Sequence, residues 1–229
     1  MSGHSPEHDA AAVDQYVARA LGLNDPVLDA GREHAHRSGL PQIEVSAAQG
    51  KLLKLLAELV GARRVLEIGT LGGFSTSWLA RGVGESGQVV TCEFEPLHAK
   101  VARENLERAA LADRVQIHIG PAADTLATLI DENTEPFDLI FIDADKRSNV
   151  TYLGLGLELA RPGTLLIVDN VVRNGAILDD PDEHGEASAD IRGVQDALAW
   201  LGKDPRVDAT ALQTVGAKGW DGLAVARVL

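Results

Sequence analysis

Polar residues that could bind a metal ion follow two apolar runs in the second half of the chain. Asp143, Asp145 and Lys146 end one run, and Asp169 and Asn170 end a later one. Carboxylate and amide oxygens are hard ligands of the kind that Mg²⁺ prefers, and three of them plus water or substrate oxygens fill an octahedron. We therefore expect Asp143, Asp169 and Asn170 to form a magnesium site. Helix capping and turn formation are the alternative roles of these residue types.

A glycine-rich turn earlier in the chain could bind a cofactor. The segment EIGTLGGFS runs from Glu67 to Ser75, and its glycines would let the backbone turn sharply and approach a ligand closely. Leu71 stands where the G-x-G-x-x-G fingerprint has its second glycine, which disfavours a nicotinamide cofactor. Glu93, 24 positions after Gly69, could accept hydrogen bonds from both hydroxyls of a ribose. Taken alone, the glycine-rich turn could be only a tight connection between a strand and a helix, and Glu93 could be only a solvated carboxylate. Together the two features favour an adenosine-containing cofactor.

These residues follow strand-like runs that alternate with helical patterns. Apolar, β-branched runs predict strands covered by helices on both sides, at residues 63–69, 88–94, 115–120, 137–143 and 163–170. Helical patterns are found at residues 74–83, 96–111, 122–132 and 147–161. This alternation predicts a parallel sheet with right-handed crossovers, whose ligands bind beyond the carboxyl ends of the strands.

The C-terminal end of the chain changes this rhythm. Strand-like runs at 207–215 and 221–229, separated by GAKGW, predict a hairpin with an antiparallel strand. We therefore expect an α/β fold. It would be a doubly wound, Rossmann-like seven-stranded sheet, mostly parallel, with an antiparallel C-terminal hairpin strand and helices on both faces.

The N-terminal part of the chain predicts additional helices. Residues 46–62 predict a helix with a capping box formed by Ser46 and Gln49. Its apolar stripe consists of Leu52, Leu55, Leu56 and Leu59. Residues 1–45 are predicted to be a helical appendage that caps the core or contacts a second subunit, and residues 46–229 to be the main domain.

Composition limits the class of protein. The 229 residues contain 21 Lys and Arg against 34 Asp and Glu, a net charge of −13 that argues against binding a nucleic-acid backbone. A single cysteine excludes an intrachain disulfide, and no zinc pattern is present. The sequence shows neither a signal-peptide pattern nor an apolar run of ~20 residues, so we expect a cytoplasmic protein with no membrane segment. Residues 171–189 are predicted to be a mobile lid.

Five motifs in a fixed order carry a family resemblance. The segments EIGTLGGFS, CEFEP, GPA, FIDADK and VDNVVRNG resemble those of the cation-dependent class I S-adenosylmethionine O-methyltransferases, which include caffeoyl-CoA and catechol O-methyltransferases. The resemblance extends from Val45 to Leu229. It implies methyl transfer from S-adenosylmethionine to a hydroxyl of a small vicinal diphenol, with Mg²⁺ as the metal, in a homodimer.

The resemblance also assigns roles to individual residues. Glu67 would lie at the methionine end of the cofactor, Glu93 at the ribose and Ala122 at the adenine edge. The full set of implied cofactor-binding residues is Val45, Glu67, Gly69, Thr70, Ser75, Glu93, Ala122, Asp143 and Asp145. The implied metal ligands are Asp143, Asp169 and Asn170, and Asn174 would contact the acceptor. Lys146 has the position of the general base, although it could instead stabilise the phenolate as a cation or be a surface lysine without a role.

Two departures and three alternatives accompany this interpretation. Asn149 stands where relatives often have an aromatic residue, and residues 177–189 match no subgroup, so the acceptor stays open. An RNA-modifying methyltransferase acting on a hydroxylated nucleobase would use the same fold. A non-catalytic cofactor-binding protein and a nicotinamide-dependent dehydrogenase are the other two alternatives.

Overall fold

A seven-stranded sheet organises the residues that the computed structural model describes, which are 9–229. The strand order is β3-β2-β1-β4-β5-β7-β6. Strands β1 to β5 pair in parallel, and β7 pairs antiparallel with both β5 and β6. The strands are β1 Arg64–Ile68, β2 Gln88–Glu93, β3 Val115–Ile119, β4 Phe137–Ile142, β5 Ala160–Asp169, β6 Val207–Gly216 and β7 Gly219–Val228. The predicted fold class is confirmed.

Eight α-helices accompany the sheet within residues 9–229, and their starts follow local sequence signals. They are α1 Ala10–Ala20, α2 Pro26–Arg37, α3 Ala47–Leu59, α4 Phe74–Gly82, α5 Pro96–Arg108, α6 Ala122–Asp131, α7 Asn149–Glu158 and α8 Ser188–Lys203. Asp25 and Ser46 accept hydrogen bonds from the first amides of α2 and α3, and proline opens α2 and α5. None of the helices within this part of the chain has the length and apolarity needed to cross a membrane.

Apolar side chains bury both faces of the sheet. Along β1, Leu66 and Ile68 join one cluster with residues of α6, α7 and α8, whereas Val65 joins a second cluster with residues of α3, α4 and α5. The second cluster also contains Leu28 of α2 and Val45. The boundary between an appendage over 1–45 and a domain over 46–229 stays a prediction.

Helix α3 buries a different face from the one that its leucines indicated. Leu53 and Ala57 are buried, whereas Leu59 of the predicted stripe is 81% exposed. Small residues cause this difference, because they allow α3 and α4 to approach closely. A Cβ on Gly50 would lie 2.2 Å from Cδ1 of Trp78, and a Cβ on Gly82 would lie 2.8 Å from Cβ of Ala57. Neither position therefore tolerates a side chain without movement.

Two connections also differ from the prediction. The segment GAKGW mostly lies within the hairpin strands, because Gly216 pairs with Gly219 and leaves only a two-residue turn. The segment predicted to be a mobile lid contains two short 3₁₀ helices, Arg173–Leu178 and Pro181–Ala187. Nε2 of Gln195 in α8 donates to the carbonyls of Ile177 and Asp179, which joins the segment to that helix. The mobility of the segment stays a prediction.

Candidate active site

The two predicted acidic strand ends are neighbours in the sheet. Ile142 pairs with Val168 across β4 and β5, so Asp143 and Asp169 follow directly after paired residues. Asn170 comes next in the chain and has a left-handed backbone with φ of 59°, which asparagine tolerates better than most residues. The structure therefore places the three residues that the sequence singled out at the ends of two paired strands.

Asp169 is a buried carboxylate with two donors on one oxygen. It is 3% exposed, and its Oδ1 accepts hydrogen bonds from Nε2 of Gln49 at 2.7 Å and from the amide of Asn170 at 2.9 Å. Burial, followed by the nearby charge of Asp143, raises the pKa of Asp169 well above its usual range. A positive charge placed between the two carboxylates would favour their ionised forms.

Lys146 is buried rather than on the surface. It lies in a 3₁₀ turn, Lys146–Ser148, is 6% exposed, and donates from Nζ to Oδ1 of Asp143 at 2.8 Å. Burying an ammonium group is costly unless it is paired, so the contact with Asp143 accounts for its position. The alternative that Lys146 is a surface lysine without a role is therefore wrong. Its amine lies directly beside the acidic pair.

The donor set fits a hard divalent cation. Within residues 9–229, no hydrogen bond reaches Oδ2 of Asp143 or Oδ2 of Asp169, whereas Oδ1 of each is engaged. The same residues contain no group of three or more His, Cys, Asp or Glu that could hold a metal ion. A site here would therefore need the side-chain oxygen of Asn170 as its third ligand. A set of three oxygen ligands suits Mg²⁺ better than zinc.

Glu67 is the most deeply buried acidic residue of the site. It is fully buried and accepts hydrogen bonds from the hydroxyls of Ser75 at 2.6 Å, Thr76 at 2.5 Å and Thr91 at 2.7 Å. Burial raises its pKa to about 7 despite these three donors. Thr76 and Thr91 were not among the residues predicted from the sequence, although hydroxyls in the first turn of a helix and on the adjacent strand are a recognisable signal for a buried carboxylate.

Glu93 holds the glycine turn. It is 7% exposed, and its Oε2 accepts hydrogen bonds from the amides of Thr70 at 3.2 Å and Leu71 at 2.7 Å. The alternative that Glu93 is a solvated carboxylate is therefore wrong. Gly69 has a φ of 103°, and a Cβ there would lie 2.2 Å from the carbonyl oxygen of Asp143. The first glycine is thus needed where the turn passes the end of β4.

The remaining predicted cofactor residues are Val45, Ala122 and Asp145. Val45 is 3% exposed and directly precedes the N-cap of α3, and Ala122 is the first residue of α6. Asp145 accepts a hydrogen bond from the Tyr152 hydroxyl at 2.6 Å. None of these contacts assigns a ligand, so their cofactor roles stay predictions.

The predicted acceptor contact lies on an open depression. Oδ1 of Asn174 accepts a hydrogen bond from the amide of Trp220 at 3.2 Å. Asn174 lines a depression of about 310 Å³ together with Arg173, His184 and Asp221. Asn149, by contrast, is fully buried, and neither of its amide atoms has a hydrogen-bond partner within residues 9–229. Asn149 therefore does not line this depression.

Gln49 makes a long-range contact that was not predicted from the sequence. Its amide donates to Oγ of Ser46 at 3.2 Å, as the predicted capping box requires. Its side chain does not return to the Ser46 amide but reaches Asp169, 120 residues away in the chain. No local pattern indicates that contact.

Comparisons with known proteins agree on one family. The family model described as O-methyltransferase matches residues 20–228, starting earlier than the resemblance noted from Val45. A catechol O-methyltransferase of Mycobacterium tuberculosis is 53% identical over 216 residues, with 94% of each chain covered. The O-methyltransferase from Bacillus cereus in complex with SAH has a TM-score of 0.91 and 47% identity, covering 96% of this chain and 98% of that one. TomG from Streptomyces achromogenes in complex with SAM has a TM-score of 0.91 and 42% identity, covering 98% and 99%.

Proposed function

Because this chain belongs to the O-methyltransferase family, we propose that it methylates one hydroxyl of a small vicinal diphenol and requires a divalent cation, Mg²⁺, to do so. The chain is an S-adenosylmethionine-dependent O-methyltransferase, so the proposal concerns the acceptor and the metal. This membership removes the non-catalytic protein and the dehydrogenase from the alternatives. The observation that carries the proposal is the pairing of β4 and β5, which places Asp143 and Asp169 side by side.

The proposed metal ligands are Asp143, Asp169 and Asn170. Their oxygens match the chemistry of Mg²⁺, and each carboxylate keeps Oδ2 free of hydrogen bonds from residues 9–229. When bound, the cation would supply positive charge that lowers the pKa of an acceptor hydroxyl. The diphenol is supported by the 53% identity to a protein named catechol O-methyltransferase, since two adjacent hydroxyls can chelate one cation.

Lys146 is the proposed catalytic residue. Its Nζ lies 2.8 Å from Oδ1 of Asp143, so an acceptor held at the acidic pair would place its hydroxyl near this amine. In one role Nζ takes the hydroxyl proton as a general base, and in the other it remains an ammonium that stabilises the phenolate. The burial of Lys146 keeps water away from the amine. The variant Lys146→Arg would separate the two roles.

Most of the proposed cofactor residues lie at or just after the carboxyl ends of β1, β2 and β4, whereas Ala122 follows β3 and Val45 precedes α3. S-adenosylmethionine carries the methyl group as a sulfonium, and the protein must orient that group toward the acceptor oxygen. Glu67 and Ser75 would hold the methionine end, and Glu93 the ribose. Because Glu93 already accepts the amides of Thr70 and Leu71, it would set the shape of the turn as well as bind the cofactor. The proposed set is completed by Gly69, Thr70, Val45, Ala122, Asp143 and Asp145.

We also propose a homodimer that buries the exposed apolar face of α1, α3 and β6. Helix α1 contacts both α3 and β6, so these elements form one continuous surface. Tyr16 is 66% exposed, Leu59 81% and Leu212 60%. Contiguous exposed apolar surface commonly marks an interaction site. The cytoplasmic location stays a prediction.

The deciding experiment is an acceptor screen with purified protein and S-adenosylmethionine. We expect methylation of vicinal diphenols in the presence of Mg²⁺, and none of the matched monophenols, which cannot chelate the cation. Equal rates on diphenols and monophenols would contradict the proposed acceptor. Methylation of tRNA without methylation of any diphenol would favour the RNA-modifying alternative.

A further inference from the structure

Gln49 connects helix α3 to the carboxylate that ends β5. Its Nε2 donates to Oδ1 of Asp169 at 2.7 Å, and the backbone amide of Asn170 donates to the same oxygen at 2.9 Å. The two donors together fix which oxygen of the carboxylate points into the protein. Oδ2 of Asp169 receives no hydrogen bond from residues 9–229. It is not fully buried, so a ligand can reach it.

The position of Gln49 is set by close packing. Ser46 caps α3 and accepts the Gln49 amide, which fixes the first turn of the helix. The next residue, Gly50, allows α3 to lie against Trp78, because a Cβ there would be 2.2 Å from the ring. A helix held this closely has little freedom to rotate, so the Gln49 side chain has a defined origin from which to reach Asp169.

We propose that Gln49 is a positioning residue for a divalent cation, because it holds Oδ1 of Asp169 and leaves Oδ2 as the oxygen available to the metal. This inference rests on the proposed function, in which Asp169 is a metal ligand. Gln49 itself supplies no ligand atom in this role. Hydrogen bonds of this kind to ligand residues orient the ligands and raise metal affinity.

The structure also explains why an amide suits this position. A glutamine side chain donates without adding charge, whereas a lysine or arginine would place a cation beside Asp169 and compete with the metal. Asp169 lies close enough to Asp143 for their charges to interact, so an acid at position 49 would add a third negative charge. A neutral donor therefore orients the carboxylate without changing the charge of the site.

The test measures metal binding directly, with neither cofactor nor acceptor present. The affinity for Mn²⁺ is measured by electron paramagnetic resonance of the free ion for the parent, Gln49→Met and Gln49→Ala. The matched control is Gln88→Met, because Gln88 is exposed at the amino end of β2, opposite the candidate site. S-adenosylmethionine affinity in metal-free buffer and the thermal midpoint are measured in parallel.

We expect both Gln49 variants to raise the Kd for Mn²⁺ about tenfold or more, while S-adenosylmethionine affinity and the thermal midpoint stay close to those of the parent. Gln88→Met should match the parent in all three measurements. If the parent binds Mn²⁺ and both Gln49 variants bind it equally well, the inference is wrong while the proposed metal site stands.

Other outcomes also decide the question. A parent that binds no Mn²⁺ overturns the metal site and this inference together. An equal loss of Mn²⁺ and S-adenosylmethionine affinity, or a failure of both variants to fold, would show a general structural role and overturn the inference. If only Gln49→Met fails to fold, the Gln49→Ala result decides.

Discussion

The ammonium nitrogen of Lys146 lies 2.8 Å from Oδ1 of Asp143, and the lysine is 6% exposed. Such an ion pair loses the hydration of both partners, and its formation does not by itself stabilise a fold strongly. Its location just after β4, near Asp169, supports the proposed catalytic role. A buried amine next to two carboxylates can exchange a proton with an acceptor and remain shielded from bulk water.

Replacing Lys146 separates catalysis from binding. We expect Lys146→Ala to lower kcat by roughly 10²–10⁴-fold, the usual contribution of a general acid or base, with S-adenosylmethionine affinity nearly unchanged. Lys146→Arg keeps a cation that does not deprotonate. It should retain substantial activity if Lys146 acts as a cation and lose it if Lys146 acts as a base. Initial rates and calorimetric binding check this, and weaker cofactor binding at unchanged kcat would reassign the residue.

Removal of the divalent cation should abolish methyl transfer. Excess EDTA is expected to reduce the rate to background, and added Mg²⁺ to restore it, because the acceptor hydroxyl would lose the positive charge that acidifies it. Asp169→Ala and Asn170→Ala should show the same loss even with saturating Mg²⁺. The measurement is the initial rate against chelator concentration. Full activity in excess chelator would remove the metal from the mechanism.

Glu67 should make stability depend on pH. Its pKa is about 7 in the folded protein against an ordinary value of 4.5, so between these values the folded state binds more protons than the unfolded state. The free energy of unfolding should therefore fall as pH rises from about 4.5 to 7 and change little from this group above pH 7. The shift corresponds to about 3 kcal/mol.

Glu67→Gln isolates this contribution. The free energy of unfolding of the variant minus that of the parent should increase from about pH 4.5 to 7, because only the parent loses stability from this group. Urea unfolding at several pH values measures this difference. A difference that stays constant from pH 5 to 8 would show that the carboxyl does not change its ionisation there.

Thr91 should stabilise the glycine turn and the buried carboxylate together. Its hydroxyl lies 2.6 Å from Oγ1 of Thr70 and donates to Glu67 at 2.7 Å. Thr91→Val leaves the buried Thr70 hydroxyl without a partner and removes one of the two donors to Oε2 of Glu67, at an expected cost of about 1–3 kcal/mol in the free energy of unfolding. It should also weaken S-adenosylmethionine binding. Thr91→Ser keeps the hydroxyl and should recover most of the lost stability and cofactor affinity. Equal behaviour of Thr91→Val and Thr91→Ser would argue against a role of these hydrogen bonds.

The exposed leucine of α3 provides a test of the proposed dimer. Leu59→Asp places a charge on the α1, α3 and β6 surface and should shift the protein to a monomer, since burying an unpaired carboxylate at an interface is costly. Light scattering after size exclusion measures the mass. Leu178→Asp is the matched control because Leu178 is 84% exposed and lies outside that surface. A parent that is already monomeric would contradict the dimer.

Local patterns in the chain were sufficient for the sheet and for most of the site's framework. Runs of strand length predicted all seven strands, and the signal was clearest for β1, β2, β4 and β5, because a buried parallel strand requires apolar residues on both faces. The polar residues after those runs, such as Asp143 and Asp169, could then be placed at one edge, because parallel strands end together. The glycine turn and Glu93 followed from the same argument.

Contacts between distant segments required the folded chain. The Gln49 side chain has two possible partners, the Ser46 amide and Asp169, and only the packing of α3 against α4 selects the second. That packing depends on Gly50 fitting against Trp78, which exposes leucines that a helical pattern would bury. The burial of Lys146 likewise arises from tertiary packing, since one sequence position does not reveal how many elements cover it. Periodicity therefore specified the elements and their order, whereas helix-to-helix distances specified which side chains meet.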